Sequence, residues 1–200
     1  MTTNQLFPVF LKLNNPNLHT LIVGGGNVGL EKLTALLNNS PGATITLVAP
    51  AISPEIQKIA ASNALLTLVS ERFAASDLDG KDMVIVATDD KAENERIYHL
   101  CRQKHLLVNV ADTPDLCDFY LSSVVQKGNL KIAISTNGLS PTMAKRLKEV
   151  LNEALPEDLE TALHQLNQVR EMLKGDFAYK VKELNKITQT LIADQSKKTD

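Results

Sequence analysis

Five short apolar runs, HTLIVGG, ATITLVAP, LLTLVS, DMVIVAT and HLLVNVA, recur through the first half of the chain, with helix-patterned stretches between several of them. Runs this apolar suit strands buried on both faces, and a chain that returns through helices lays such strands parallel. The expected class is α/β, a Rossmann-like parallel sheet over residues 1–113. Between the runs, GLEKLTALLNN and KAENERIYHLCRQK carry apolar residues at helical spacing, and Asp90 with Glu93 has the form of a capping box. A chain of 200 residues, 44% hydrophobic, can bury such a core.

After Asp112 the pattern changes. DFYLSSVVQKGNLKIAIST reads as two strands joined near Lys127-Gly128-Asn129, and Ser140-Pro141 is a cap and first-turn pair opening a helix. A hairpin with no covering crossover is marginal alone, so residues 114–150 are expected to form a small α+β dimerisation unit completed by a second subunit. From Pro156 the stripes Leu159, Leu163, Leu166, Val169, Leu173 and Phe177, Val181, Leu184, Ile187, Leu191, separated by Gly175, predict a helical C-terminal unit over 151–200. The closing DQSKKTD is expected to be disordered.

Chemistry enters at Gly24-Gly25-Gly26-Asn27-Val28-Gly29, a GxGxxG pattern that follows a strand and opens a helix. In that context Gly24 permits the tight turn, Gly26 lets a pyrophosphate approach the backbone, and Gly29 lets the helix pack on the strand, with the phosphate on the helix N-terminus beside Asn27 and Val28. Dinucleotide sites also place an acid about 20 residues on, to hold the adenosine ribose. Here the second run ends Val48-Ala49-Pro50, and no arginine replaces the acid there to meet a 2'-phosphate, so this position does not separate NAD from NADP. Thr88 and Asp89 end the fourth run at the ligand-binding edge, while Asp90 is equally explained as a helix cap.

Several chemistries are excluded. A short-chain dehydrogenase needs a lysine four residues after its tyrosine, but Tyr98, Tyr120 and Tyr179 are followed at that offset by Arg102, Val124 and Glu183. His19 and His105 start strands and His99 and His164 lie on helices, outside any catalytic motif. Cys101 and Cys117 have neither CxxC spacing nor histidine partners, so they read as packing residues and no metal site is expected. Asp112, at the end of the fifth run, remains as the acid-base candidate, although Asp-Thr-Pro is equally an ordinary turn initiator.

A net charge of -2 argues against nucleic acid, but from Phe119 to Lys148 there is no acid, while Lys127, Lys131, Lys145, Arg146 and Lys148 fall inside. That segment is either a solvated face or a seat for a polyanion. No apolar run approaches the roughly 18 residues of a membrane span, and the start MTTNQLFPVF lacks the form of a secretory signal, so a cytoplasmic location is expected.

GGGNVGLEKLTALL, VATDD with Asn94 five positions after Asp89, VNVADTPDLCDFYLSSVV and IAISTNGLSPTMAKRLKEVL together resemble the precorrin-2 dehydrogenase and sirohydrochlorin ferrochelatase family, the N-terminal half of siroheme synthase. The resemblance runs from about Leu6 to Leu155 in unbroken motif order and departs from it at Ser122, where many relatives have proline, and at Leu139, where a polar or basic residue is common. It implies a homodimer that oxidises precorrin-2 to sirohydrochlorin with NAD+, some members also inserting ferrous iron. The family's NVxDxP aspartate falls on Asp112, and a hydroxyl position near the substrate falls on Thr136. The tetrapyrrole carries eight carboxylates, which gives the basic segment a purpose, with Lys127, Lys145 and Arg146 as candidate contacts. No methyltransferase domain follows, so the substrate is expected from a separate enzyme. The alternative is an NAD-sensing dimeric regulatory module, which would need neither Asp112 nor the basic segment.

Overall fold

The computed structural model describes residues 6–14 and 16–189. All five runs become strands: β1 (His19–Val23), β2 (Thr44–Val48), β3 (Leu66–Val69), β4 (Met83–Val86) and β5 (Leu107–Val110). They form one parallel sheet in the order β3-β2-β1-β4-β5. Val23 pairs with both Val48 and Val86, and Val86 with Val110, so the central strands end level with one another.

The period of two along β1 divides the core. Leu21 and Val23 face one layer with Val84, Val86, Ile97, Cys101, Phe73 and Leu78, while Ile22 faces the other with Ile45, Leu47, Ile85, Leu33, Leu36 and Ile56. The second layer belongs to α1 (Asn27–Asn39) and α2 (Pro54–Ala61), whose start is capped by Ser53. The first belongs to α3 (Lys91–Gln103) and a short 3-10 turn, Ala75–Leu78. That turn stands where a full crossover helix would join β3 to β4, which leaves the residues just after β3 on the rim of the sheet.

Two local expectations are corrected. Asp90 does cap α3, accepting from the Glu93 N–H at 3.1 Å. Glu93 does not complete the box: its carboxylate takes two bonds of 2.7 Å from the Arg96 guanidinium, a stronger charged partner than the cap amide. His105 does not start a strand; it sits in the turn after α3 at φ 56, and β5 begins two residues later.

The chain separates into two compact units, the first running to Ser122 with 135–141, the second comprising 123–134 and the residues from Thr142 onward. The second contains the expected hairpin, β6 (Ser123–Lys127) against β7 (Leu130–Ile134), antiparallel and turning at Gly128 with φ 56. Its helices are α4 (Pro141–Ala154), α5 (Leu159–Met172) and α6 (Phe177–Thr188). Glu160 of α5 holds the hairpin turn by accepting from the Asn129 side chain at 2.7 Å, and Lys127 pairs with Glu157. Gly175, at φ 138, breaks α5 from α6 as anticipated. Leu191 and the closing DQSKKTD lie outside the described residues.

Candidate functional site

At the carboxyl edge of the sheet a cleft of about 890 Å³ opens over the ends of β1, β2, β4 and β5. Its floor is the glycine loop. The main chain leaves β1 through Gly24 at φ 124, where a side chain would strike the carbonyl of Ala87, and the Gly24 N–H is tied to the Val48 carbonyl at 3.0 Å. A side chain at Gly29 would strike the Gly24 carbonyl, so that glycine serves the close seating of helix on strand rather than the cleft.

Gly26 differs from both. A Cβ built there meets nothing within 4 Å, and its backbone, at φ -90 and ψ -159, is open to any residue. The space is available and no side chain fills it. Gly26 is also the N-cap of α1 and offers no capping side chain, the first turn holds no acid, and the amides of Asn27, Val28 and Gly29 precede the first in-helix bond, Leu30 N–H to the Gly26 carbonyl at 2.9 Å. Exposed N–H groups at the positive end of a helix dipole, over an unfilled surface, fit a pyrophosphate.

Gly24, Gly26, Asn27, Val28, Thr88, Asp89 and Asp112 all line this cleft. Of the opposite wall's residues, Thr88 is fixed by α3: its hydroxyl meets the buried Asn94 Oδ1 at 2.5 Å, and Asn94 Nδ2 returns a bond to the Thr88 carbonyl at 3.1 Å. Asp90 is spent on the helix cap, which leaves Asp89 as the exposed carboxylate of that corner.

A third group went unrecognised in the sequence. Arg72, Phe73, Glu93 and Arg96 line the same cleft as Pro50 and Ala51 at the end of β2. Arg96 is locked, paired with Glu93 and lying 5.3 Å above the Phe73 ring. That hydrogen bond holds the Glu93 carboxyl below its ordinary range and raises the Arg96 guanidinium. Arg72, beyond the end of β3, thus brings an arginine to a cleft whose β2 end carries none. The available signal was positional: Arg72 falls three residues after a strand that pairs with β2 in parallel and so ends at the same edge.

Asp112 sits two residues beyond β5 with φ 57, a left-handed conformation that aspartate tolerates better than most residues. The loop behind it is heavily tied. Asn109, 7% exposed, donates to the Phe119 carbonyl at 2.8 Å. Asp118 accepts from the Val108 N–H at 3.1 Å and from Arg102 at 2.9 Å. The Cys117 thiol donates to the carbonyls of Val110 and Thr113 at 3.2 and 3.3 Å, so this cysteine closes the loop as well as packing beneath it. Burial pushes the Cys117 thiol up, and that of Cys101 up to about 11.

The remaining predicted residues stand elsewhere. The Thr136 hydroxyl accepts from the Ser140 N–H at 3.0 Å, bracing the turn of Asn137 and Gly138 before α4, and it does not line the cleft. Lys127, Lys145 and Arg146 belong to the second unit. There Lys127 is paired with Glu157 and only 14% exposed, Arg146 is paired with Glu149 at 2.7 Å, and Lys145 is exposed.

A level parallel sheet with a glycine turn, an uncapped helix start and a cleft at the strand ends defines a Rossmann-type dinucleotide-binding protein. Residues 9–123 match the family described as "Putative NAD(P)-binding" and residues 127–153 the one described as "Sirohaem biosynthesis protein central". The chain belongs to the first of these families, with the sirohaem central segment following it. Among similar proteins, "Siroheme synthase 3" of Aeromonas hydrophila is 36% identical over 171 residues, 86% of this chain and 36% of that protein. The siroheme synthase of Psychrobacter sp. (strain PRwf-1) is 39% identical over 151 residues, 76% of this chain and 30% of that protein. The chain therefore spans about a third of the length of these relatives. A solved structure titled "SirC, precorrin-2 dehydrogenase" superposes with a TM-score of 0.73 at 29% identity, covering 91% of this chain and 89% of that one.

Proposed function

We propose that this chain oxidises precorrin-2 to sirohydrochlorin with NAD+ as hydride acceptor, a step of siroheme biosynthesis. The observation that carries the reading is Asp112, held in a left-handed conformation on the rim of the cleft whose floor is the glycine loop. The solved neighbour, a precorrin-2 dehydrogenase that matches nearly end to end, supports it.

Gly26, Asn27 and Val28 hold the pyrophosphate through main-chain amides, Gly24 makes the turn that presents them, and Thr88 and Asp89 form the facing wall, while Gly29 keeps the helix start in place. Bound NAD+ supplies an acceptor for a hydride. Removal of two hydrogens from the macrocycle releases one as hydride and one as a proton, and the Asp112 carboxylate accepts that proton as general base. An exposed carboxylate on a loop braced by Asn109, Cys117 and Asp118 can meet a substrate held at the cleft mouth without the loop itself having to reorganise.

The substrate's eight carboxylates are assigned to Lys145, Lys127 and Arg146, the last two exchanging Glu157 and Glu149 for substrate, and a hydroxyl contact is assigned to Thr136. Ferrous iron is a second substrate, inserted into sirohydrochlorin with Asp112, exposed on the rim, accepting the two displaced pyrrole protons one at a time and releasing each to solvent. The active species is a homodimer. Met143, Leu147 and Val150 are spaced four and three apart on α4, and their exposed apolar face supports this. In this reading residues 1–113 bind the cofactor, 114–150 dimerise and 151–200 form the helical unit. No helix among the described residues is long and apolar enough to cross a membrane, and the proposed location is the cytoplasm.

Anaerobic precorrin-2 with NAD+ and the full chain is expected to yield sirohydrochlorin and NADH absorbance in equal amounts. Binding of NAD+ with no turnover of authentic substrate would instead favour a regulatory module. Ferrous iron added to sirohydrochlorin tests the second step, where equal rates with and without protein would reject it.

A further inference from the structure

The end of β2 and the residues after β3 share one wall of the cleft, and their chemistry is unusual for a site that takes only NAD. Selectivity for NAD rests on a carboxylate at the end of the second strand, which binds the adenosine 2'-hydroxyl and repels a 2'-phosphate. Here that position is Val48-Ala49-Pro50, with Ala51 after it, and none of these can do either. Across the same space lies Arg72, exposed and lining the cleft. Among the described residues no carboxylate lies within ion-pair distance of Arg72, and its influence on Glu93 is a minor one. Arg96 is not available for the same task, because Glu93 grips it through two hydrogen bonds and its guanidinium covers Phe73.

We infer that Arg72 forms a subsite for the 2'-phosphate of NADP+, so that this chain accepts both nicotinamide dinucleotides. This rests on the reading of the cleft as a dinucleotide site. A guanidinium presents a planar fork that matches phosphate oxygens, and an arginine without a carboxylate partner keeps that fork free for an incoming anion. The acids that line the same cleft are Asp89, Asp90, Glu93 and Asp112. Asp90 is occupied by the α3 cap and Glu93 by Arg96, which leaves Asp89 and Asp112 as the carboxylates able to oppose a bound 2'-phosphate.

The test uses the full chain and two probes, ADP and adenosine 2',5'-bisphosphate, titrated calorimetrically at low and moderate salt. The bisphosphate is expected to bind at least as tightly as ADP and to lose more affinity as salt rises. In Arg72→Gln, loss of a charge-assisted contact worth about 1.5–3 kcal/mol corresponds to about a ten- to hundredfold weaker bisphosphate, with ADP unchanged within about threefold. Arg72→Glu is expected to exclude the bisphosphate while still binding ADP. Arg72→Gln weakening both probes equally would mean that the guanidinium stacks on adenine, and the proposal falls. It falls too if the unaltered chain binds ADP but not the bisphosphate. Binding of neither probe would remove the dinucleotide reading itself, and this subsite with it.

Discussion

Replacing Gly26 with alanine tests the cofactor site with the least disturbance to the fold. The new methyl group meets nothing within 4 Å, and φ -90 with ψ -159 is a conformation alanine adopts freely. Two small effects on stability oppose each other. Alanine lowers the entropy of the unfolded chain, which stabilises by about 0.4–1 kcal/mol, and it is a poorer N-cap than glycine, which costs a similar amount. The melting temperature is therefore expected to stay within a few degrees of the parent. Binding should not be spared, because the methyl occupies the surface on which the pyrophosphate would lie and holds it off the amides of Asn27 and Val28. Loss of one such charge-assisted contact, about 1.5–3 kcal/mol, corresponds to roughly a ten- to hundredfold rise in the NAD+ dissociation constant. Fluorescence titration with NADH and calorimetry with NAD+ measure this directly. Gly24→Ala and Gly29→Ala are the contrast, since each side chain collides with a backbone carbonyl, and both should lose stability as well as binding. A Gly26→Ala protein that binds NAD+ as tightly as the parent would refute the argument, as would one that fails to fold.

Asp112→Asn keeps a residue that tolerates φ 57 and is expected to fold as the parent does while losing about 10²–10⁴-fold in precorrin-2 oxidation rate. Asp112→Ala should lose activity and also about 1 kcal/mol of stability to backbone strain, visible as a lower urea midpoint. Asp118→Ala removes the acceptor for the Val108 N–H and the partner of Arg102, and is expected to cost about 1–2 kcal/mol in urea unfolding. Alkaline pH should destabilise the protein through Cys101, whose thiol rises from 9.0 to about 11 in the folded chain. Between those values the unfolded chain releases the proton and the native one retains it, so stability is full below about pH 9 and declines towards pH 11, by roughly 2–3 kcal/mol over the whole window. Cys101→Ala should flatten that slope in urea titrations at pH 7.5, 9 and 10.5.

The strands were legible because burial on both faces leaves a continuous apolar run, and the glycine loop because each glycine there answers a separate steric demand. Partnership is harder to read. Glu93 stands where a capping box would place it, yet Arg96, one helical turn away, takes its carboxylate. Lys127 belongs to an acid-free stretch of sequence and is nonetheless neutralised by Glu157, thirty residues on. Arg72 was invisible for a related reason. The rule for the ribose contact searches the end of β2, whereas parallel pairing puts the residues after β3 at the same edge and lets them serve the same space. For Lys127 and Arg72, spacing along the chain reports local neighbours and turn types, while charged side chains choose partners by proximity.

The level endings of β1, β4 and β5 act as a ruler for the chemistry above them. Removing one residue from β5 would draw the Asp112 loop back by about 3.3 Å and turn alternate side chains into the wrong layer. Lengthening a turn at the far ends of the helices would move nothing in the cleft. A designer altering this protein could vary helix surfaces and distal turns widely, provided every strand keeps its present number of residues.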